Sequence, residues 1–240
     1  MHKSLKNSAI IIIGNEILSG RTQDTNTKFL AQKLLSIGII VNEVRIIPDS
    51  KEHIIECVNK LRIKYNYVFT SGGIGPTHDD ITAKCIANAF DVKLPINEAA
   101  KKLLQDYYKN QNVELNAARL RMARIPEGAN LIENPISIAP GFQIENVFVL
   151  AGVPKIFKAM VKNIIEKLKS AKPIKSKSIR IEKPEGEIAE KLASIASDFP
   201  SAQIGSYPFK KNLVKGTRIV ITHSDILVID EITKLVKLLK

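Results

Sequence analysis

The sequence predicts a three-layer α/β/α protein with a mostly parallel sheet, followed by a small α+β unit. Three observations lead there. Short β-branched runs alternate with longer stretches of helical spacing over most of the chain. Three of the runs end in glycine-containing turns, at Gly14, at Gly72 to Gly75 and at Gly152. A polar stretch around Pro173 then separates a second, shorter set of segments.

The elements follow in order. Ala9 to Ile13 is unbroken apolar sequence, suited to a strand buried on both faces, and Gly14 ends it. Thr25 to Ile37 has helical spacing through Phe29, Leu30, Leu34 and Ile37, with Gly38 placed as a C-cap. Ile39 to Ile47 is a second strand that Pro48 breaks. Asp49 with Glu52 resembles a capping box for the helix carrying Ile54, Val58 and Leu61. Tyr67 to Thr70 is a third strand, and Asp79 or Asp80 can cap the helix after it. Asn97 to Tyr108 and Leu115 to Ala123 read as helices, and Phe142 to Ile144 with Val147 to Leu150 as strands turned by Glu145-Asn146. Pro154 to Leu168 is a helix with an apolar stripe through Phe157, Met160, Val161 and Ile164. Ser170 to Ser178 is read as the boundary, giving domains 1–170 and 171–240. Beyond it come a strand, a helix at Glu187 to Ser197, two strands and a closing helix at Ile226 to Leu239.

Composition narrows the function. The 240 residues are 45% hydrophobic and 25% charged, as in globular proteins. The apolar run near the start is far too short to span a bilayer, so a soluble, cytoplasmic protein with no membrane partner is expected. Cys57 and Cys85 lack metal-ligand spacing and read as buried thiols. Much of the formal charge of +12 comes from Lys155 to Lys183, where ten lysines and arginines meet only Glu166 and Glu182. Trp is absent and aromatics do not interleave with these lysines, so solvated surface is the simpler reading and nucleic acid is not the expected partner.

The chemistry concentrates at the strand ends. Thr70-Ser71-Gly72-Gly73-Ile74-Gly75-Pro76-Thr77-His78-Asp79-Asp80 follows a strand and opens a helix. That position lies at the carboxyl edge of a parallel sheet, and glycines let backbone approach a bound group there, beside N–H groups that suit phosphate. No Lys-Ser/Thr follows, so this is not a Walker loop, and the spacing is not the dinucleotide fingerprint. One of Asp79 and Asp80 suffices as a helix cap, which leaves the other for a hard divalent ion shared with a diphosphate; the simpler alternative makes both first-turn acids. Gly14 to Gly20, containing Glu16, leads to Asp24-Thr25-Asn26, where capping accounts for one of the three polar residues. Gly152 follows the last of the strands before Pro154. Asn134 to Gly141, punctuated by Pro135 and Pro140, is long enough to serve as a lid. Arg119, Arg121 and Arg124 precede it, as surface or as phosphate contacts.

At these motifs residues 8 to 170 resemble the molybdopterin-binding domains of molybdenum-cofactor biosynthesis proteins, and most of all the N-terminal part of the competence/damage-inducible protein A group. The segments that carry the resemblance are Gly14 to Gly20, Asp24-Thr25-Asn26, Thr70 to Asp80, Asn116 to Pro126 and Asn134 to Gly141. It implies a pocket along the glycine-rich strand ends and, within that group, metal-dependent hydrolysis of ADP-ribose-type pyrophosphates. It also implies that a related domain sits beside FAD synthetase, and that other members bind molybdopterin and assist its adenylylation. Larger members continue into a nicotinamide mononucleotide deamidase domain that these residues do not contain. Ala151 stands where many relatives have proline. The C-terminal unit resembles the KH-like middle domain of longer relatives but has no Gly-x-x-Gly clamp, so RNA binding is not expected of it.

The expectation is a nucleotide pyrophosphatase, with a non-catalytic molybdopterin- or nucleotide-binding protein as the alternative. Asp79 and Asp80 would hold Mg2+ or Co2+, with K+ a further candidate, and Glu16 or Asp24 would bind sugar or position water. Gly14, Asn26, Gly72, Gly73, Gly75, Thr77, Asn134, Pro140, Gly141 and Gly152 would line the ligand site. Pairing of the small second unit would make a homodimer.

Overall fold

The structure is a computed structural model that describes residues 6–168, 173–211 and 214–240. The chain divides into two compact units near Ala171 and Lys172. In the first, β1 (Lys6–Ile13), β2 (Ile39–Ile47), β3 (Tyr67–Ser71), β4 (Asn130–Ile132), β5 (Gly141–Ile144) and β6 (Val147–Leu150) form one sheet in the order β2-β1-β3-β6-β5-β4. The pairs β1–β2, β1–β3 and β3–β6 are parallel, whereas β5 runs antiparallel to both β6 and β4. Glu145, at φ 46°, makes the tight β5–β6 reversal. The fold is therefore the layered, mostly parallel α/β architecture that the alternation of segments predicts.

Alternation along the strands sends side chains to two cores. Ala9, Ile11, Ile13, Val68 and Val149 pack with Ile54, Val58 and Leu61 of α3 (Lys51–Lys64), Cys85 and Ile86 of α4 (Thr82–Ala89), and Leu104 of α5 (Glu98–Asn110). The other parity, Ile10, Ile12, Phe69 and Phe148, is buried on the opposite face. There α2 (Asn26–Ser36) contributes Leu30 and Leu34, and α7 (Pro154–Lys167) contributes Phe157, Met160 and Val161. Phe69 and Phe148 stack at 4.9 Å between ring centroids, across neighbouring strands. Cys57 and Cys85 are buried free thiols, and burial pushes Cys85 up to about 11.

The helix after β1 lies on one face and the helix after β2 on the other. The direction of winding thus reverses between β1 and β3, and the crevice beyond their carboxyl ends is the switch point where open α/β sheets bind ligands. The antiparallel β4–β5 pair returns the 133–140 loop to that same edge.

Several local details differ from the sequence reading. A short helix, α1 (Asn15–Leu18), occupies what reads as an open glycine turn, and β4 is a strand too short to show periodicity. Leu115 to Ala123 is not one helix but α6 (Ala117–Leu120) followed by a 3-10 turn, Arg121–Ala123. Neither Asp79 nor Asp80 caps α4: Ile81 stands at its N-cap, because Asp80 is taken by Thr77, whose N–H and hydroxyl donate to Oδ2 at 2.9 and 2.5 Å. Nor does Asp49 cap α3. Ser50 holds that position, and Asp49 Oδ2 accepts the N–H of Asn15 at 2.8 Å. The predicted linker is partly strand, since a strand begins at Lys175, while 169–172 lies outside the described residues.

The second unit has the sheet order β7-β9-β8, from β7 (Lys175–Ile181), β8 (Gln203–Lys211) and β9 (Val214–His223), all antiparallel. One face carries Ile179, Ile181, Ile219 and Ile221 against Ile188 and Ile195 of α8 (Glu185–Asp198) and Ile229, Ile232 and Val236 of α9 (Ile226–Lys237). No helix among the described residues is long and apolar enough to cross a membrane.

Edge strand β2 carries a charge cluster. Glu43 accepts from Lys64 at 2.9 Å, the Tyr65 hydroxyl at 2.7 Å and Arg45 at 2.7 Å, which together pull its carboxyl down to about 2. A carboxyl lowered on folding adds stability above its unfolded value, and that stability is lost as pH falls through the folded one. Because the side chain is partly solvated, Glu43→Gln is expected to cost about 1 kcal/mol at neutral pH and almost nothing near pH 2. Urea denaturation of both proteins across that acid limb measures the difference.

Candidate functional site

The glycine turns after β1, β3 and β6 meet because those strands are parallel neighbours. Gly72 N–H donates to Leu150 O, and Gly152 approaches so closely that a Cβ on it would stand 3.2 Å from the Gly72 Cα. Gly72 itself has φ 114°, and a Cβ there would fall 2.2 Å from the carbonyl oxygen of Ile13. Only glycine permits this junction. Gly73, at φ 69°, faces the buried Thr82 hydroxyl, and a Cβ on Gly75 would strike the Asp80 carboxylate at 2.6 Å.

Over this floor opens a cleft of about 660 Å³. Its walls include Gly72, Gly73, Gly75 and Gly152, the carboxylates of Glu16, Asp49, Asp79 and Asp80, and Asn134, Ser137 and Ala139 of the 133–140 loop. Tyr108 and Met122 add apolar surface, and Arg119 braces Tyr108 with its guanidinium 4.8 Å from the ring. No lysine or arginine is among the described residues that line it. Arg121 and Arg124 line a smaller hollow next to it, which shares Gly75 and Asp80. The Asp79 carboxyl is held below the usual aspartate range, first by the Thr77 hydroxyl beside it, next by its own backbone N–H, and to a smaller extent by His78 and Arg121. His78 is almost fully solvent-exposed.

The remaining expected residues are spread over several places around and beyond the cleft. Asp24, Asn26 and Glu16 line a side pocket of about 50 Å³ that shares Glu16, Thr22 and Gly152 with the cleft. Asp24 Oδ1 accepts the N–H groups of Asn26 and Thr27, so it caps α2. Asn26 is buried, its Nδ2 donating to Ser71 Oγ at 2.9 Å and Gly152 O at 2.7 Å, while its Oδ1 has no partner. Gly14 has an extended backbone and stands behind the wall, where a Cβ would strike the Glu16 carboxylate. Thr77 closes the loop onto Asp80, and Asn134 organises its own loop by accepting from Ile136 and Ser137 N–H and donating to Ser137 Oγ and Ala139 O. Pro140 lines only the neighbouring hollow. Gly141 is away from the cleft, buried in β5 where a Cβ would meet Val149 O at 2.4 Å and Met160 at 2.8 Å.

Asp49 is the wall carboxylate that sequence reasoning missed. Its signal was position, since it follows β2 at the same sheet edge as the glycine turns. Another hollow, of about 400 Å³ near Tyr67, Phe148 and Asn163, lies at the opposite end of these strands and has none of the glycine turns.

A cation fits the cleft on its donor set, which is hard carboxylate oxygen. Among the described residues no cluster of three or more acidic, histidine or cysteine side chains forms a protein-only cage. In general an Mg2+ ion needs only one or two protein carboxylates when phosphate and water complete its shell.

Comparison with known proteins places these features. Residues 173–237 match the model of the FAD synthase middle domain, and so resemble that module and not a deamidase. A protein of Archaeoglobus fulgidus is 36% identical over 83% of this chain and 84% of its own. One of Pyrobaculum calidifontis is 33% identical over 83% of this chain and 79% of its own. The crystal structure of the protein CinA with unknown function, from Thermoplasma acidophilum, is 34% identical with a TM-score of 0.63, covering 68% of this chain and 98% of that one. Residues 9–170, a range that contains every residue lining the cleft, match the model of the probable molybdopterin binding domain, and the chain belongs to that family.

Proposed function

We propose that the cleft binds a nucleotide diphosphate of the ADP-ribose type together with a divalent cation, Mg2+ or Co2+, and hydrolyses its phosphoanhydride. Water forms a bond to one phosphorus as the bond from that phosphorus to the bridging oxygen breaks, so that ADP-ribose and water become AMP and ribose 5-phosphate. The observation that carries the reading is charge. Glu16, Asp49, Asp79 and Asp80 surround a floor of glycine backbone with no lysine or arginine among the described lining residues. Like unit charges about 6 Å apart repel by about 3 kcal/mol at an effective dielectric near 20, so a diphosphate enters this cleft only with cations. Asp79 and Asp80 would hold the cation, which when bound neutralises charge on the phosphates. The backbone N–H groups of Gly73 and Gly75 hold the diphosphate above Gly72, whose own N–H is given to Leu150 O. Glu16 orients the water, since Asp24 is engaged as a helix cap.

The family match favours a second reading, a pterin-type ligand bound without turnover. Incubating EDTA-treated protein with ADP-ribose and with FAD, with and without Mg2+ or Co2+, separates the two. Hydrolysis products that appear only with cation are expected. Absence of product under every condition, or equal product in EDTA, overturns the hydrolase reading, and a calorimetric signal for a pterin ligand without product then supports the alternative.

A further inference from the structure

The second unit covers one face of its sheet with helices and leaves the other open. On the open face the antiparallel register sets Arg180 of β7 directly opposite Arg218 of β9, and Arg218 directly opposite Tyr207 of β8. Phe209, two residues on, belongs to the same face, over Gly216. Two like charges directly across a ladder destabilise a sheet, so this pairing is unfavourable for folding alone. Each arginine lies near an aromatic ring, Arg180 at 5.8 Å from the centre of Phe209 and Arg218 at 6.0 Å from that of Tyr207. The rings rest on glycine. Tyr207 atoms come within 3.0 Å of where a Cβ on Gly205 would stand, and Phe209 atoms within 2.8 Å at Gly216. Even so, Tyr207 remains 50% exposed.

We propose that this face binds a single-stranded polynucleotide, with bases stacked on Tyr207 and Phe209 and phosphates paired with Arg180 and Arg218. Charge complementarity selects the occupant: an open sheet face with paired cations on β7 and β9 beside two aromatic rings on β8 suits a chain that alternates anionic groups with planar ones. The proposal takes Arg180 alone from the basic stretch Lys155 to Lys183 and needs neither its lysines nor a Gly-x-x-Gly clamp.

The test is fluorescence anisotropy of the full chain with labelled oligouridylate and oligothymidylate of about 12 nucleotides, within the site sizes of small sheet platforms, and with a duplex of equal length, over a range of salt. Saturable binding of the single strands, weaker for the duplex, is expected. Tyr207→Ala should weaken it roughly tenfold or more, and Tyr207→Phe should retain it. Arg180→Ala with Arg218→Ala should reduce the salt slope by about 1.4. Because that pair is mutually repulsive, the double variant should melt no lower than the parent, which separates a binding role from a structural one. Lys158→Ala with Lys162→Ala, on α7, should leave binding unchanged. The proposal fails if the parent shows no saturable binding, if the duplex binds as tightly, or if the α7 variant loses binding while the sheet variants keep it. It also fails if the parent is a dimer that Tyr207→Ala separates, since a second copy would then cover the face.

Discussion

Asp79→Asn is expected to cut cation-dependent turnover of a nucleotide pyrophosphate by on the order of a hundredfold or more, with the thermal midpoint essentially unchanged. The size follows from removing a cation ligand, whose charge stabilisation is several kcal/mol. The unchanged midpoint follows from exposure: Asp79 is largely in solvent and holds no buried partner. Asp80→Asn should lose turnover to a similar degree and also cost about 1 kcal/mol of stability, because its carboxylate receives two hydrogen bonds from Thr77 and stands against Gly75. Steady-state rates across a Mg2+ titration, paired with thermal melts, read both effects. Parental rates in both variants at every cation concentration would remove these carboxylates from the chemistry.

Gly72→Ala is expected to produce the largest loss of stability, about 3 kcal/mol or more, and a fall of roughly 10 °C in the melting temperature of the first unit. The residue sits at φ 114°, and the added Cβ would meet the Ile13 carbonyl at 2.2 Å, a backbone atom at the end of the neighbouring strand that cannot swing aside. Gly20 is the control. It too has positive φ, but a Cβ there meets nothing within 4 Å, so Gly20→Ala should bear only the conformational cost of about 1 kcal/mol. Chemical denaturation of the two variants tests the contrast, and equal losses would show that the steric junction is not what matters.

Much of this architecture was legible because strand periodicity and glycine punctuation are local signals. The run from Ala9 to Ile13, the turn at Gly72 to Gly75 and the helix opened by Pro154 needed no distant information. What was not legible depended on partners far along the chain. Asp49 looked like half of a capping box with Glu52, yet its carboxylate is claimed by Asn15, from the turn after the neighbouring strand. Gly141 looked like part of a ligand loop, but its lack of a side chain serves packing against Val149 and Met160. β4 has three residues, too few for alternation to register. The row of Arg180, Arg218 and Tyr207 exists only through strand register, and nothing in the spacing of those residues announces it.

The contact between Gly72 and Gly152 carries a consequence for biogenesis. One glycine follows β3 and the other β6, the last strand of that sheet to be synthesised, so a nascent chain displays half of the floor well before its counterpart leaves the ribosome. Until then the acidic rim surrounds an unfinished hollow. Competence to hold a ligand therefore arrives late and all at once, when the final strand of the sheet docks, and a prematurely terminated product lacks it altogether.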